Sequence, residues 1–231
     1  MITDIFSSFD EQNLNFISFF LPIWTIGLIF IFFINFLYWW LPTRGLLFLG
    51  LFIGFIFQEV LRSFGKNLRG FSVLVPSLFF LLLMVNFLGL VPYVFGLTGH
   101  LVFTFSLGIP IWFSLLLSGL FFNSSVFFAS FLPAGAPSIL NPFLVVVETL
   151  SIMVRPVTLS VRLAANMGAG HIVIGLIGTY LSSGFFVYSL LALLVLLLVQ
   201  ISYFLFEFWV SLIQGYIFSL LVSLYADEHA H

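Results

Sequence analysis

From Phe71 to Val147 the chain contains no Asp, Glu, Lys or Arg, and the stretch from Leu163 to Phe206 is equally free of them. Runs of this kind can each hold a membrane span of about 20 residues. Only 6% of the 231 residues are charged and 62% are hydrophobic, whereas soluble domains carry roughly 25% charged residues. A water-soluble globule still needs a polar skin. The solvent for most of this chain is therefore lipid, and the expected fold class is an all-α integral membrane protein.

The formal net charge is −2, with no basic patch for nucleic acid. Cysteine is absent, which excludes disulfides, thiol chemistry and Cys-ligated metals. The N-terminal run MITDIFSSFDEQN has neither the basic region and cleavage site of a secretory signal nor the arginines of a transit peptide. An organelle location would then need another route, such as synthesis inside the organelle.

Three conventional spans, one interfacial helix and a long tilted C-terminal helical hairpin are expected, all in a single polytopic domain over 1–231. The first span covers 16–41 and closes on the interfacial aromatics Tyr38, Trp39 and Trp40. The segment 44–70 starts with an apolar run, Leu46 to Phe57, which gives about 18 Å of helix, too short to cross. It ends in Gln58, Glu59, Arg62, Lys66, Asn67 and Arg69, and it holds four of the six basic residues. It reads as a helix lying in the interface. The positive-inside rule puts it on the cytoplasmic or matrix side, with the N-terminus outside.

Spans over 71–91 and 99–122 follow, then a Pro- and Gly-containing connection from Asn123 to Pro142. The segments 142–180 and 185–225 are each about twice the length of a perpendicular span, so they must tilt, kink or run along the bilayer plane. Leu181 to Gly184 marks the expected turn between them. The tail after Tyr225 is expected on the inner side.

Charges inside such segments cost at least about 2.5–3.5 kcal/mol each, yet the hairpin carries Glu148, Arg155, Arg162 and Glu207, with His171 beside them. An α-helix turns about 100° per residue, so positions seven apart nearly superimpose. Glu148, Arg155 and Arg162 have that spacing, and Asn166 lies four beyond Arg162. Gln200, Glu207 and Gln214 repeat the interval on the second arm. Two polar stripes on antiparallel helices can form a hydrated seam. His171 falls about 180° from Arg162 and about 13.5 Å further along, so it should serve a different compartment or neighbour. Ala164, Ala165, Gly168, Ala169 and Gly170 surround the arginine and let another helix come close. Arginine stays charged and does not relay protons, whereas Glu and His exchange them readily.

The run VETLSIMVRPVTLSVRLAANMGAGH, Val147 to His171, resembles the core signature of the a-subunit family of rotary F-type ATP synthases. The arm EFWVSLIQGYIFSLLVSLY, Glu207 to Tyr225, resembles that family's C-terminal helix, and VNFLGLVPY and FLPAGAPSILNP are similar to it as well. MITDIFSSFD resembles invertebrate mitochondrial members. The resemblance covers almost the whole chain and is weakest between Glu11 and Asn67. It implies a proton-conducting stator working against a ring of c subunits, beside other Fo stator subunits, in the mitochondrial inner membrane. Arg162 matches the arginine that faces the ring carboxylate, and Asn166 and Gln214 match polar residues near it. His171 and Glu207 match the outer half-channel pair, and Glu148 matches an inner half-channel carboxylate. Arg155 receives no essential role. The N-terminus would lie in the intermembrane space and the C-terminus toward the matrix. Ring size, and whether the complex is dimeric, stay open.

Without the resemblance each residue also has a plainer reading. Arg162 can snorkel or pair with Glu207 for packing. Glu148 can be a solvated carboxylate at a helix start. Asn166 and Gln214 can be simple interhelical hydrogen bonds, and Arg155 a lipid headgroup contact. Two other function classes are weighed against the proton stator. A self-contained transporter predicts internal repeats, and the sequence has none. A haem subunit needs axial His or Met ligands, and the four histidines are scattered. No phosphate loop of the form G-x-x-x-x-G-K-[ST] occurs. The chain is therefore expected to be non-catalytic and without a cofactor, its partners being membrane lipid, protons and other subunits.

Overall fold

The computed structural model describes residues 44–63, 65, 68, 70–91, 96–132, 140–184 and 189–227. The span expected over 16–41, together with Lys66, Asn67, Arg69, His229 and His231, lies outside them. Every regular element among the described residues is helical: α1 Arg44–Arg62, α2 Phe71–Leu90, a 3-10 turn Leu97–Gly99, α3 Leu101–Phe122, α4 Ser124–Ser130, α5 Asn141–Gly184 and α6 Leu190–Asp227. Among the described residues, α2, α3, α5 and α6 are long and apolar enough to cross a membrane. The chain is an all-α integral membrane protein.

Helix α1 ends at Arg62 and does not continue to residue 70. The Ser63 hydroxyl donates to the Val60 carbonyl at 2.7 Å, and the chain re-enters helix at Gly70, whose φ of 83° is a left-handed conformation suited to glycine. Near the end of α1, Arg62 pairs with Glu59 at 3.3 Å on the exposed surface.

Helix α2 is apolar all round, as a helix enclosed by neighbours should be. Of its most apolar stretch 56% is buried inside the protein, against 17% for α3 and for α5 and 6% for α6. It is the hub of the bundle. Phe71, Val75, Phe79, Leu82 and Leu83 of α2 meet Ile56 and Val60 of α1 and Phe218, Val222 and Ala226 of α6, with Leu159 and Leu163 of α5 in the same cluster. In lipid such packing is held by dispersion and close fit rather than by removal of apolar surface from water.

At Gly108, α3 packs against α5 with room for an ordinary contact. A Cβ at that position would sit 3.7 Å from the Pro156 carbonyl oxygen and 3.7 Å from Ser160. Pro156 removes one backbone donor, yet α5 runs through it unbroken. The Ser160 hydroxyl donates to the Pro156 carbonyl at 2.7 Å.

Two further segments differ from the sequence expectation. The connection 123–142 contains the short helix α4. Its rings pack locally, with Phe127 edge-on to Phe128 and Phe131 at centroid separations of 5.9 and 5.2 Å, and Ser125 donates to the Asn123 side chain at 2.9 Å. Leu181 to Gly184, expected as the hairpin turn, form the last turn of α5. Ser182 and Ser183 donate their hydroxyls back to the carbonyls of Thr179 and Tyr180 at 2.9 and 3.2 Å. With both hydroxyls satisfied inside the helix, the serines do not break it. The 44 residues of α5 amount to about 66 Å of helix, more than twice the roughly 30 Å hydrocarbon thickness. This helix cannot stand upright inside a bilayer core.

Candidate functional site

Helix α5 carries two opposite faces. Pro156, Leu159, Leu163, Ala164, Met167 and Gly170 point into the bundle and are buried. Val154, Val157, Val161, Arg162, Ala165, Asn166 and Ala169 form the exposed face. Arg162 therefore lies near the middle of a membrane helix, on the side turned away from the other described helices, with Ala165 and Ala169 on the same face. It forms no ion pair or hydrogen bond with any described residue. Glu207, near the middle of α6, faces elsewhere.

One turn beyond Arg162, the Asn166 amide donates to the Gln214 side-chain oxygen at 2.9 Å, linking α5 to α6. A further turn along, Gly170 faces Glu207. A Cβ at Gly170 would collide with the carboxylate, so glycine is what admits Glu207 against α5. Glu207 is 3% exposed, and both carboxylate oxygens lack hydrogen-bond partners among the described residues.

His171, next along α5, turns toward the junction of α2 with the 3-10 turn. A Cβ at Gly96 would lie 2.7 Å from its Nε2, and one at Gly89 3.5 Å. That nitrogen is also buried without a hydrogen-bond partner among the described residues. Close by, the Asn86 amide on α2 donates to the Ser211 carbonyl on α6 at 3.2 Å. Its Oδ1, and the hydroxyl of Thr98 two residues beyond Gly96, are buried and unpartnered in the same sense. Buried polar groups are normally hydrogen-bonded by protein or ordered water. These unpartnered atoms come from four elements, and an acid and an imidazole are among them.

At the opposite end of the hairpin, nearer the end that carries Arg62, Glu148 is partly exposed. Its carboxylate lies 3.8 Å from the Arg155 guanidinium, which sits 5.2 Å above the Tyr225 ring of α6. Arg155 thus contacts protein groups, beside the expected reading of it as a lipid headgroup contact. Among the described residues, no three or more His, Cys, Asp or Glu side chains converge to hold a metal ion.

The structure thus separates the six sequence candidates into three places. Arg162 and Asn166 share the exposed face, with Gln214 joined to Asn166. Glu207 is buried against Gly170, and half-buried His171 turns its Nε2 to Gly96 and Gly89, so both stand at the polar junction of α5 with its neighbours. Glu148 stands apart, two turns before Arg155. The two stripes do not close into one continuous seam, since Arg162 points outward. Asn86, Thr98, Ser211 and the glycines Gly89 and Gly96 were not singled out from sequence, whereas Gly170 was, as one of the small residues that let another helix come close. Asn86 carried a signal, as the one amide side chain within the apolar span 71–91.

Four helices long and apolar enough to cross a membrane, with an exposed arginine at the middle of one of them, define among the described residues a multi-pass helical membrane protein. The family model described as ATP synthase A chain matches residues 16–227. The ATP synthase subunit a of Drosophila yakuba is 39% identical over 236 residues, covering 99% of both chains. Those of Aedes aegypti and Locusta migratoria are 37% and 35% identical with the same coverage. The chain belongs to the ATP synthase A chain family. It is a multi-pass membrane subunit of an ATP synthase, engaged in proton transport for ATP synthesis alongside other subunits of the membrane sector, and the animal relatives fit a mitochondrial origin.

Proposed function

We propose that this chain is the non-catalytic stator subunit that supplies two aqueous half-channels and the arginine that works against a c-ring carboxylate. The observation that carries this reading is Arg162, exposed in mid-helix and unpaired among the described residues. A charge left facing lipid is costly, so its counter-ion has to come from outside the described residues. The shallow face made by Ala165 and Ala169 suits the close approach of another helix. Arginine suits the task because it attracts an ionised carboxylate without itself carrying the proton.

Protons enter at the polar junction, past Glu207 and His171, and neutralise a ring carboxylate, which then rotates through lipid. After nearly a full turn the site discharges toward Glu148. Arg162 stands between the two routes and blocks a direct leak, and Asn166 and Gln214 support the face beside it. The driving force is about 2.3 kcal/mol per charge per 100 mV, so several protons serve each ATP made on other subunits. The concentration of basic residues between Arg44 and Arg69 favours the matrix side for that end. The N-terminus is then in the intermembrane space and the C-terminus toward the matrix.

Arg162→Ala in the assembled complex tests the reading. Coupled ATP synthesis should be lost although the complex still assembles. Retained coupled synthesis rules the role out.

A further inference from the structure

We propose that Arg155 is a positioning residue for the Glu148 carboxylate, held in place by the Tyr225 ring. The inference rests on the reading of Glu148 as the inner proton-exchanging acid and adds a residue to that site. Glu148 and Arg155 lie two helical turns apart on α5, and their long side chains bridge that gap to 3.8 Å. The guanidinium carbon stands 5.2 Å from the Tyr225 centroid, inside the roughly 6 Å reach of a cation–π contact.

Each contact alone is weak. The Glu148 side chain is 41% exposed and that of Arg155 22%, and an ion pair in such surroundings contributes little by itself. Their combination is what matters. A guanidinium is planar, so it can offer N–H groups at its edge to a carboxylate while its face rests on a ring. Tyr225 is not a floating platform, because it packs against the buried cluster of the bundle. The chain of contact therefore runs from the core of α6, through a ring and a guanidinium, to a carboxylate on α5. That carboxylate is fixed relative to both long helices rather than left to swing on a flexible stem. Helix α6 also brings Asp227 to this end of the bundle, and α3 brings no ionisable side chain.

A positioned carboxylate matters for proton release, because transfer is effective only within hydrogen-bond reach of the donor or through one water. A purely structural Arg155 would hold the hairpin together whether or not Glu148 could ionise. A positioning Arg155 acts through Glu148, and the two roles separate in a double-mutant cycle.

The test uses the complete ATP synthase in membrane vesicles, with ATP-driven proton pumping normalised to the amount of assembled complex. Arg155→Met keeps most of the stem and removes the charge, and Tyr225→Leu removes the ring. Each should lower pumping about threefold or more in the native background and have little further effect in a Glu148→Gln background. Pumping unchanged by Arg155→Met, or lowered equally in both backgrounds as for a headgroup anchor, overturns the proposal. If Arg155→Met prevents assembly, Tyr225→Leu carries the same comparison. Glu148→Gln alone separates the two levels: normal pumping in that variant removes Glu148 from the proton route, whereas impaired pumping together with an inert Arg155→Met removes only the positioning role.

Discussion

The Glu207 carboxylate on α6 occupies the space that a side chain at Gly170 on α5 would need. Two helices that meet this closely in lipid do so through a missing side chain. What the glycine admits here is the acid assigned to the proton route. In the proposed function, the missing Cβ then bears on proton transfer as well as on packing.

Gly170→Ala should displace the carboxylate or push the helices apart, at the roughly 1–3 kcal/mol typical of overpacking. Proton pumping by the complex should fall sharply. Shortening the acid by one methylene, in a Gly170→Ala, Glu207→Asp double variant, should recover part of the loss. Pumping that is no better in the double variant than in the two single variants combined would show that the collision is not the cause.

Glu207→Gln preserves shape and removes proton exchange. General acid–base groups contribute about two to four orders of magnitude to proton-transfer steps, so flux should drop by at least about a hundredfold. The amount of assembled complex on a native gel should stay unchanged.

The Asn166 to Gln214 bond ties α5 to α6 beside Arg162. Hydrogen bonds between membrane helices average about 0.6 kcal/mol and reach about 1.7 kcal/mol. A double-mutant cycle of Asn166→Ala and Gln214→Ala, read by resistance of the complex to denaturing detergent, should return a coupling in that range.

Leu163 is completely buried among α2, α5 and α6. Leu163→Ala should destabilise the subunit by about 2–4 kcal/mol through lost contacts and a residual cavity. Arg62→Ala removes a surface pair whose arginine side chain is 75% exposed, and should change stability by less than about 1 kcal/mol. Thermal melting of the complex distinguishes the two.

Much of the helical plan follows from one-dimensional pattern, because lipid demands long apolar runs and tolerates few interruptions. Gly70 and Pro92 bracket such a run, and α2 occupies Phe71–Leu90. The rare polar residues in the hairpin stand out for the same reason, which is why Arg162, Asn166, Gln214 and Glu207 were visible without coordinates. Turn placement was less legible. Ser182 and Ser183 look like breakers in sequence, but their hydroxyls are satisfied by the preceding turn and the helix continues to Gly184. The direction of each polar residue was not legible at all. Helical spacing puts Glu148, Arg155 and Arg162 on one stripe, but only the packing of α2, α3 and α6 decides that Arg162 faces outward while Arg155 meets Tyr225. The seats of Glu207 and His171 on Gly170 and Gly96 depend on contacts between separate elements, which no local pattern encodes.

The account depends most on what meets the outward face of α5. The chain has no cysteine of its own, so single cysteines can be placed at Ala165, on that face, and at Leu163, on the buried one. Each is then paired with a cysteine introduced beside the ring carboxylate and oxidised in intact membranes. Ala165→Cys should form a disulfide with the ring and Leu163→Cys should not. No crosslink from Ala165→Cys, or an equal yield from Leu163→Cys, would contradict the claim that Arg162 faces an acid on a moving partner.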